Sequence, residues 1–223
     1  MIGRMVGVRE QSRARTTAAI LAAARAEIAE HGGGGLSMRA VAREVGMVSS
    51  AVYRYFPTRE ALLTAMILES YEGLASALGE VGARRPDRRW VALGRALRDW
   101  ALGRPHEFQL IYGTPVPGYV APPETVPAAA AVAAPFLEVG AKGAEAPPFV
   151  RPGLVAQMAT VAEVADGLTG DRAAAVIAEL AALVGAVTLE LGGHLVGSAD
   201  PADEFFAALL ERQVDTLGLV GAG

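Results

Sequence analysis

Residues Ser37–Arg59 read SMRAVAREVGMVSSAVYRYFPTR, and this stretch decides the fold. Ser37 is a helix N-cap type, because its hydroxyl can accept from a free backbone N–H of the first turn. Val41, Ala42 and Val45 follow at the spacing of one buried helical face. Gly46 stands where a left-handed residue ends a helix at little cost. A second short helix then begins near Val48 or Ser49, carries Ala51, Val52 and Tyr55–Phe56, and stops before Pro57. Two short helices joined by a tight glycine turn make a helix-turn-helix. The second helix of such a unit lies in the DNA major groove, with its N-terminal residues at the base edges.

The longer run SMRAVAREVGMVSSAVYRYFPTREALL resembles the DNA-binding signature of the TetR family of transcriptional regulators. The matching features are Ser37, the Val41–Gly46 run VAREVG, the Ser50–Ala51–Val52–Tyr53 step, Tyr55–Phe56, and Arg59–Glu60 opening a long helix. Family members usually carry Ser or Thr where this chain has Val48. The expectation is therefore that Ser49 caps the second helix and starts it one residue late.

No strand-like alternation persists anywhere in the chain, so an all-α protein is expected. It divides into an arm at residues 1–11, a three-helix DNA-binding domain at 12–58, and a ligand-sensing and dimerisation body at 59–223. Ser37, Arg39 and Arg43 fall near phosphates, and Ser49, Ser50, Tyr53 and Arg54 face the groove. Tyr55 and Arg59 are phosphate candidates by resemblance. Arg54 is the best base reader, since a guanidinium bonds guanine O6 and N7 together. Ala42, Val45, Val52 and Phe56 read as the small core joining these helices, and Tyr53 fits packing as well as contact.

The charge pattern agrees. Net charge is −4 over 223 residues, yet residues 1–63 hold nine arginines against five glutamates. A basic head on an acidic body suits a first third that touches a polyanion, although an ordinary solvated surface accounts for so modest an excess equally well. Arg4 and Arg9 of the arm, with Arg13 just beyond it, can reach phosphate or a minor groove, and a flexible tail without specific contacts is an equally good reading. There is no cysteine, which excludes disulfides, thiol catalysis and Cys-based zinc sites. The opening MIGRMVGVREQSR lacks the apolar run of a signal peptide. The most apolar stretch, Ala173–Val196, contains Glu179 and Glu190, against a membrane span. A cytoplasmic, membrane-free protein is expected.

Helical periodicity continues through the chain, and about ten helices are expected. Ser12–His31 forms the first and ends in the run Gly32–Gly35, read as a flexible helix end because no Gly-Lys-Ser/Thr follows. Thr58 caps a long helix reaching about Gly82. ARRP at 83–86 breaks the chain. Asp87–Gly103 places Trp90, Leu93, Leu97 and Trp100 on one stripe, and Pro105–Tyr112 is short. GTPVPGYVAPPETVP is irregular by its proline and glycine content. A helix over 123–138 is expected to kink or break at Pro127 and Pro135, and GAKGAEAPP is a loop. The remaining helices cover 151–167, 171–196 and 200–217, with Pro201 at the first position of the last.

FQLIYGTPVPGY and LVGAVTLELGGHLVG resemble a C-terminal domain type common among actinobacterial TetR regulators. That implies an unidentified small-molecule effector and a homodimer on a palindromic operator, most often as a repressor. Candidate ligand residues are Trp100, Phe108, Tyr112, Tyr119, Phe136, Met158 and His194, for a mostly apolar molecule. Each one alone is more often plain core, and His194 with Glu190 reads as an i, i+4 hydrogen bond. Candidate dimer residues are Ala178, Ala181, Gly185, Phe205, Phe206 and Leu209. With three widely spaced histidines, no metal site or other cofactor is expected. An enzyme is disfavoured by the lack of a Ser/His/Asp group, paired-carboxylate motif or phosphate loop. A helical protein-interaction module without sequence-specific DNA binding is the alternative.

Overall fold

The computed structural model describes residues 2–82, 85–144 and 151–220, and for residues 2–9 the backbone alone. Among the described residues the chain is all helical, with eleven α-helices and no strand. The ARRP break and the GAKGAEAPP loop fall partly outside the described residues.

Helix α1 (Ile2–His31) is followed by a 3-10 turn at Gly33–Gly35, α2 (Met38–Glu44) and α3 (Ser49–Val52). The arm expected at 1–11 is thus helical from Ile2 onward. Arg, Met, Glu and Gln are good helix formers, and this stretch has no proline to stop propagation. Helix α4 (Arg59–Gly79) begins where Thr58 accepts the Ala61 N–H at 3.0 Å. Helices α5 (Pro86–Gly103), α6 (Pro105–Tyr112) and α7 (Thr125–Gly140) follow.

Contacts divide the chain into two compact units. The first comprises Met1–Ser70 with His106–Thr125, and the second Tyr71–Pro105 with Val126–Gly223. The segment holding α6 and the proline-rich loop therefore folds with the helix-turn-helix, although it lies beyond the residue-58 boundary drawn from sequence.

In the first unit Ile20, Leu21, Ala24 and Ile28 of α1 are buried with Leu36, Met38, Val41, Ala42, Val52, Phe56, Leu62, Leu63 and Met66. Val45, expected in this core, is half-buried at the C-cap of α2. In the second unit the expected stripe of α5, Trp90, Leu93, Leu97 and Trp100, is buried. Phe136 meets the Trp90 ring edge-on, with centroids 5.3 Å apart.

Helix α7 runs through both prolines. Pro127 lies in the first turn, where its missing N–H costs nothing. Pro135 is interior, and Ala131, whose carbonyl loses its helical partner there, is exposed to water. The single helix expected at 151–167 is two short ones, α8 (Pro152–Gln157) and α9 (Ala159–Ala162), broken at Met158. Helix α10 (Gly170–Leu191) ends five residues before the expected Val196. Helix α11 (Asp203–Thr216) starts after Pro201, with Ala202 at the cap.

By length and composition α4 and α10 would pass as membrane spans, yet 44% of each such window is buried inside the chain. Arg172 and Glu179 sit at buried positions of α10, so it is a core helix whose charges have protein partners. Arg172 donates to the Gly140 carbonyl at 3.0 Å, and Arg212 donates to Glu179 at 3.0 Å.

Candidate nucleic-acid interface

The helix-turn-helix is assembled from local chemistry. Ser37 is extended and its Oγ accepts the Ala40 N–H at 3.3 Å, capping α2. Gly46 has φ 64°, the left-handed geometry that lets the chain reverse without a Cβ clash. The Met47 N–H then returns to the Ala42 carbonyl at 2.8 Å. Val48 occupies the N-cap of α3 in extended geometry with no side-chain cap. Ser49 is therefore the first helical residue and not the expected cap. One regular turn follows, and looser turns carry the chain to Phe56, whose N–H bonds the Val52 carbonyl at 3.0 Å.

This backbone leaves one side of each short helix open to solvent. Arg39 and Arg43 on α2 are exposed, as are Ser50, Tyr53 and Arg54 on and just after α3. Ser37, Ser49 and Tyr55 are half-buried. Tyr53 is 46% exposed, so part of its side chain is open to a partner while the rest is covered by its own chain. Val48 is 70% exposed, an apolar side chain at the tip that sequence reasoning noted only as a missing cap. The Arg13 guanidinium lies over the Tyr55 ring, 5.3 Å from its centroid, so α1 brings a cation beside the expected phosphate contact.

Arg59 is placed differently. Its Nε donates to the Leu36 carbonyl at 2.9 Å, and its Nη2 donates to Gly33 and Gly34 carbonyls at 2.8 and 3.0 Å. The half-buried side chain is directed onto the turn before α2. Beside it, Glu60 in the first turn of α4 has its carboxyl held below the usual range. Its own backbone N–H is the main cause, the Thr58 hydroxyl the next.

The seven candidate ligand residues separate between the two units. In the first, Phe108 packs on Tyr112 with centroids 5.3 Å apart, and Tyr119 lies within 3.0 Å of the Thr64 hydroxyl. In the second, Trp100 and Phe136 are buried, Met158 is half-buried and His194 is exposed. The expected Glu190–His194 pair is replaced. The Glu190 carboxylate takes two bonds from Arg98, at 2.7 and 2.8 Å. A groove of about 610 Å³ lies between α5 and α11, floored by Val91, Ala92, Ala96 and Val214 and rimmed by Arg88, Arg95, Asp99 and Glu211. None of the seven candidates lines it. No group of three metal-ligating side chains occurs among the described residues.

Of the candidate dimer residues, Ala181, Gly185 and Phe205 are exposed, and Ala178 and Leu209 are half-buried. Phe206 is buried in its own chain under the Arg98 guanidinium, 5.3 Å from its ring centroid. It is not available to a partner, because successive residues of a helix point about 100° apart.

Comparison with known proteins agrees with this arrangement. The family of bacterial regulatory proteins of the tetR type matches residues 20–66. The tetracyclin repressor-like C-terminal domain matches residues 90–213, more than half of the chain. The HTH-type transcriptional regulators Rv1816 of Mycobacterium tuberculosis and Mb1846 of Mycobacterium bovis are each 41% identical over 143 residues. That alignment spans 62% of this chain and 61% of theirs. Among solved structures, the regulatory protein SCO4313 superposes with TM-score 0.78 at 32% identity, over 92% of this chain and 98% of that one. A protein of unknown function from Rhodococcus sp. RHA1 superposes with TM-score 0.67 at 26% identity, over 91% and 95%. The exposed basic helix-turn-helix, its cap chemistry and these likenesses lead to one conclusion: the chain belongs to the TetR family of DNA-binding transcriptional regulators.

Proposed function

We propose that the protein is a cytoplasmic repressor that binds a palindromic operator as a homodimer and is released by a small, mostly apolar ligand in the 59–223 body. The observation that carries the DNA half of this reading is the outward face of Arg39, Arg43, Ser50, Tyr53 and Arg54. Among the described residues none of its three arginines has a carboxylate partner, so all are available to a polyanion. Arg39, Arg43 and Tyr55, with Ser37, supply phosphate contacts that fix register. Ser49, Ser50, Tyr53 and Arg54 meet base edges, where sequence is read.

One such head per chain supports a two-fold dimer, since two heads then meet two half-sites. Ala181 and Gly185 on α10 and Phe205 on α11 supply an uncovered surface for pairing. A Cβ at Gly185 would meet nothing within 4 Å, so a second helix can approach closely there. For the ligand, the aromatic groups before and after the proline-rich loop support an apolar molecule. Alanine at Tyr112, which packs on Phe108 in the first unit, should abolish effector response while operator binding persists, and an intact response would reject it as a ligand contact. The dimer on its operator is tested by the stoichiometry of the complex: two chains per palindromic duplex are expected, and one chain per site would reject the dimer.

A further inference from the structure

Arg59 and Leu36 stand at the two ends of the helix-turn-helix. Leu36 immediately precedes the Ser37 cap of α2, and Arg59 is the first residue of α4, after the turns that follow α3. The Nε–H of Arg59 donates to the Leu36 carbonyl, and both hydrogens of Nη2 are taken by the Gly33 and Gly34 carbonyls. One planar fork thus closes the base of the motif, across 23 residues to Leu36 and 26 to Gly33. These carbonyls follow the C-terminal end of α1, where a cation is favoured by the helix dipole.

The turn is held from a second direction. A Cβ at Gly33 would come within 2.8 Å of Val116 Cγ2, so the loop after α6 occupies the space where any other residue would place a side chain. The carbonyls that Arg59 takes belong to a turn already fixed against protein.

We propose that Arg59 is a positioning residue for DNA reading: it latches the Gly33–Leu36 turn to the start of α4 and so fixes the angle at which α2 and α3 are presented. The proposal rests on the DNA-binding reading above and assigns Arg59 a part other than phosphate contact. A lysine cannot replace the latch. It keeps the charge but loses the fork that reaches three carbonyls at once.

The test uses the full-length protein and the operator duplex that the wild type recovers from random DNA. Binding is measured against salt for Arg59→Lys and Arg59→Gln, with Arg43→Ala as a phosphate-contact control. The latch predicts that both Arg59 variants bind about tenfold more weakly, the equivalent of one lost charge-assisted bond. It also predicts that their salt slopes stay at the wild-type value, while Arg43→Ala flattens the slope by about 0.9. Arg59→Lys at wild-type affinity, or Arg59→Gln with a slope lowered like the control, overturns the proposal in favour of a phosphate contact. Hydrogen exchange on the DNA-free protein gives an independent readout. Arg59→Lys should speed exchange of the α2 amides about tenfold while α10 amides keep wild-type rates. Unchanged α2 exchange overturns the latch. A wild-type protein that retains no duplex overturns the DNA reading itself, and the exchange result still decides the latch.

Discussion

Trp90 donates its indole N–H to the Gln213 side-chain oxygen at 3.0 Å, joining α5 to α11 across 123 residues of sequence. Gln213 is fully buried, and its amide donates in turn to the Glu179 carbonyl of α10 at 2.8 Å. One polar side chain therefore ties three helices inside an apolar core, in a setting where an orphaned donor is costly. Gln213→Leu should destabilise the fold by about 2–3 kcal/mol, because it leaves the Trp90 N–H unpartnered without water access. Chemical denaturation measures this. A loss below about 0.5 kcal/mol would mean the bond contributes little net stability.

Acid titration should expose the start of α10. The Thr169 hydroxyl donates to Asp171 at 2.5 Å. That bond is the main reason the Asp171 carboxyl lies below its ordinary value, with the Arg172 backbone N–H assisting. A depressed folded value means that the stabilisation is complete above the ordinary carboxylate range and fades as pH falls through the folded value. Thr169→Val should raise the Asp171 titration toward the ordinary range, read by NMR. It should also lower stability at neutral pH, with the difference from wild type shrinking at about pH 2.

Base reading and phosphate contact should separate by mutation. Arg54→Ala should cost about 1–3 kcal/mol and relax preference at one operator position. Arg43→Ala should weaken binding to every sequence alike. Selection from random duplexes with each variant distinguishes the two patterns. A uniform loss for Arg54→Ala would move it to the phosphate group.

The proposed dimer face predicts a contrast between neighbours. Phe205→Glu or Gly185→Glu should shift the protein to monomer in sedimentation with little change in helix content. Phe206→Ala should instead lower stability by about 3 kcal/mol through a cavity, since that ring packs inside its own chain beneath Arg98. Equal effects of the two phenylalanine substitutions on assembly would reject the face.

Local chemistry was legible in the sequence. The Ser37 and Thr58 caps, the left-handed Gly46 and the α5 stripe depend on residues a few positions apart, and each stands where spacing placed it. Charge and exposure at Arg39, Arg43 and Arg54 were legible for the same reason. What was not legible depends on contacts across the chain. Gly33 read as slack at a helix end, whereas Val116 packs against it from 83 positions away. Arg59 read as a phosphate ligand, and the carbonyls that claim it have no sequence signature. Glu190 read as the partner of His194 by helical spacing, and Arg98 on another helix takes both its oxygens. Pro135 read as a kink or an interruption, and the helix runs on past it uninterrupted, with Ala131 exposed one turn earlier.

The most direct test is operator binding by the wild type and by the Tyr53→Ala/Arg54→Ala double variant, on duplexes selected from random DNA. A saturable, competitor-resistant complex that weakens steeply with salt is expected for the wild type. The double variant should keep its fold and lose that specificity. Failure of the wild type to enrich any sequence at low salt, or full specificity in the double variant, would contradict the placing of DNA recognition on this face.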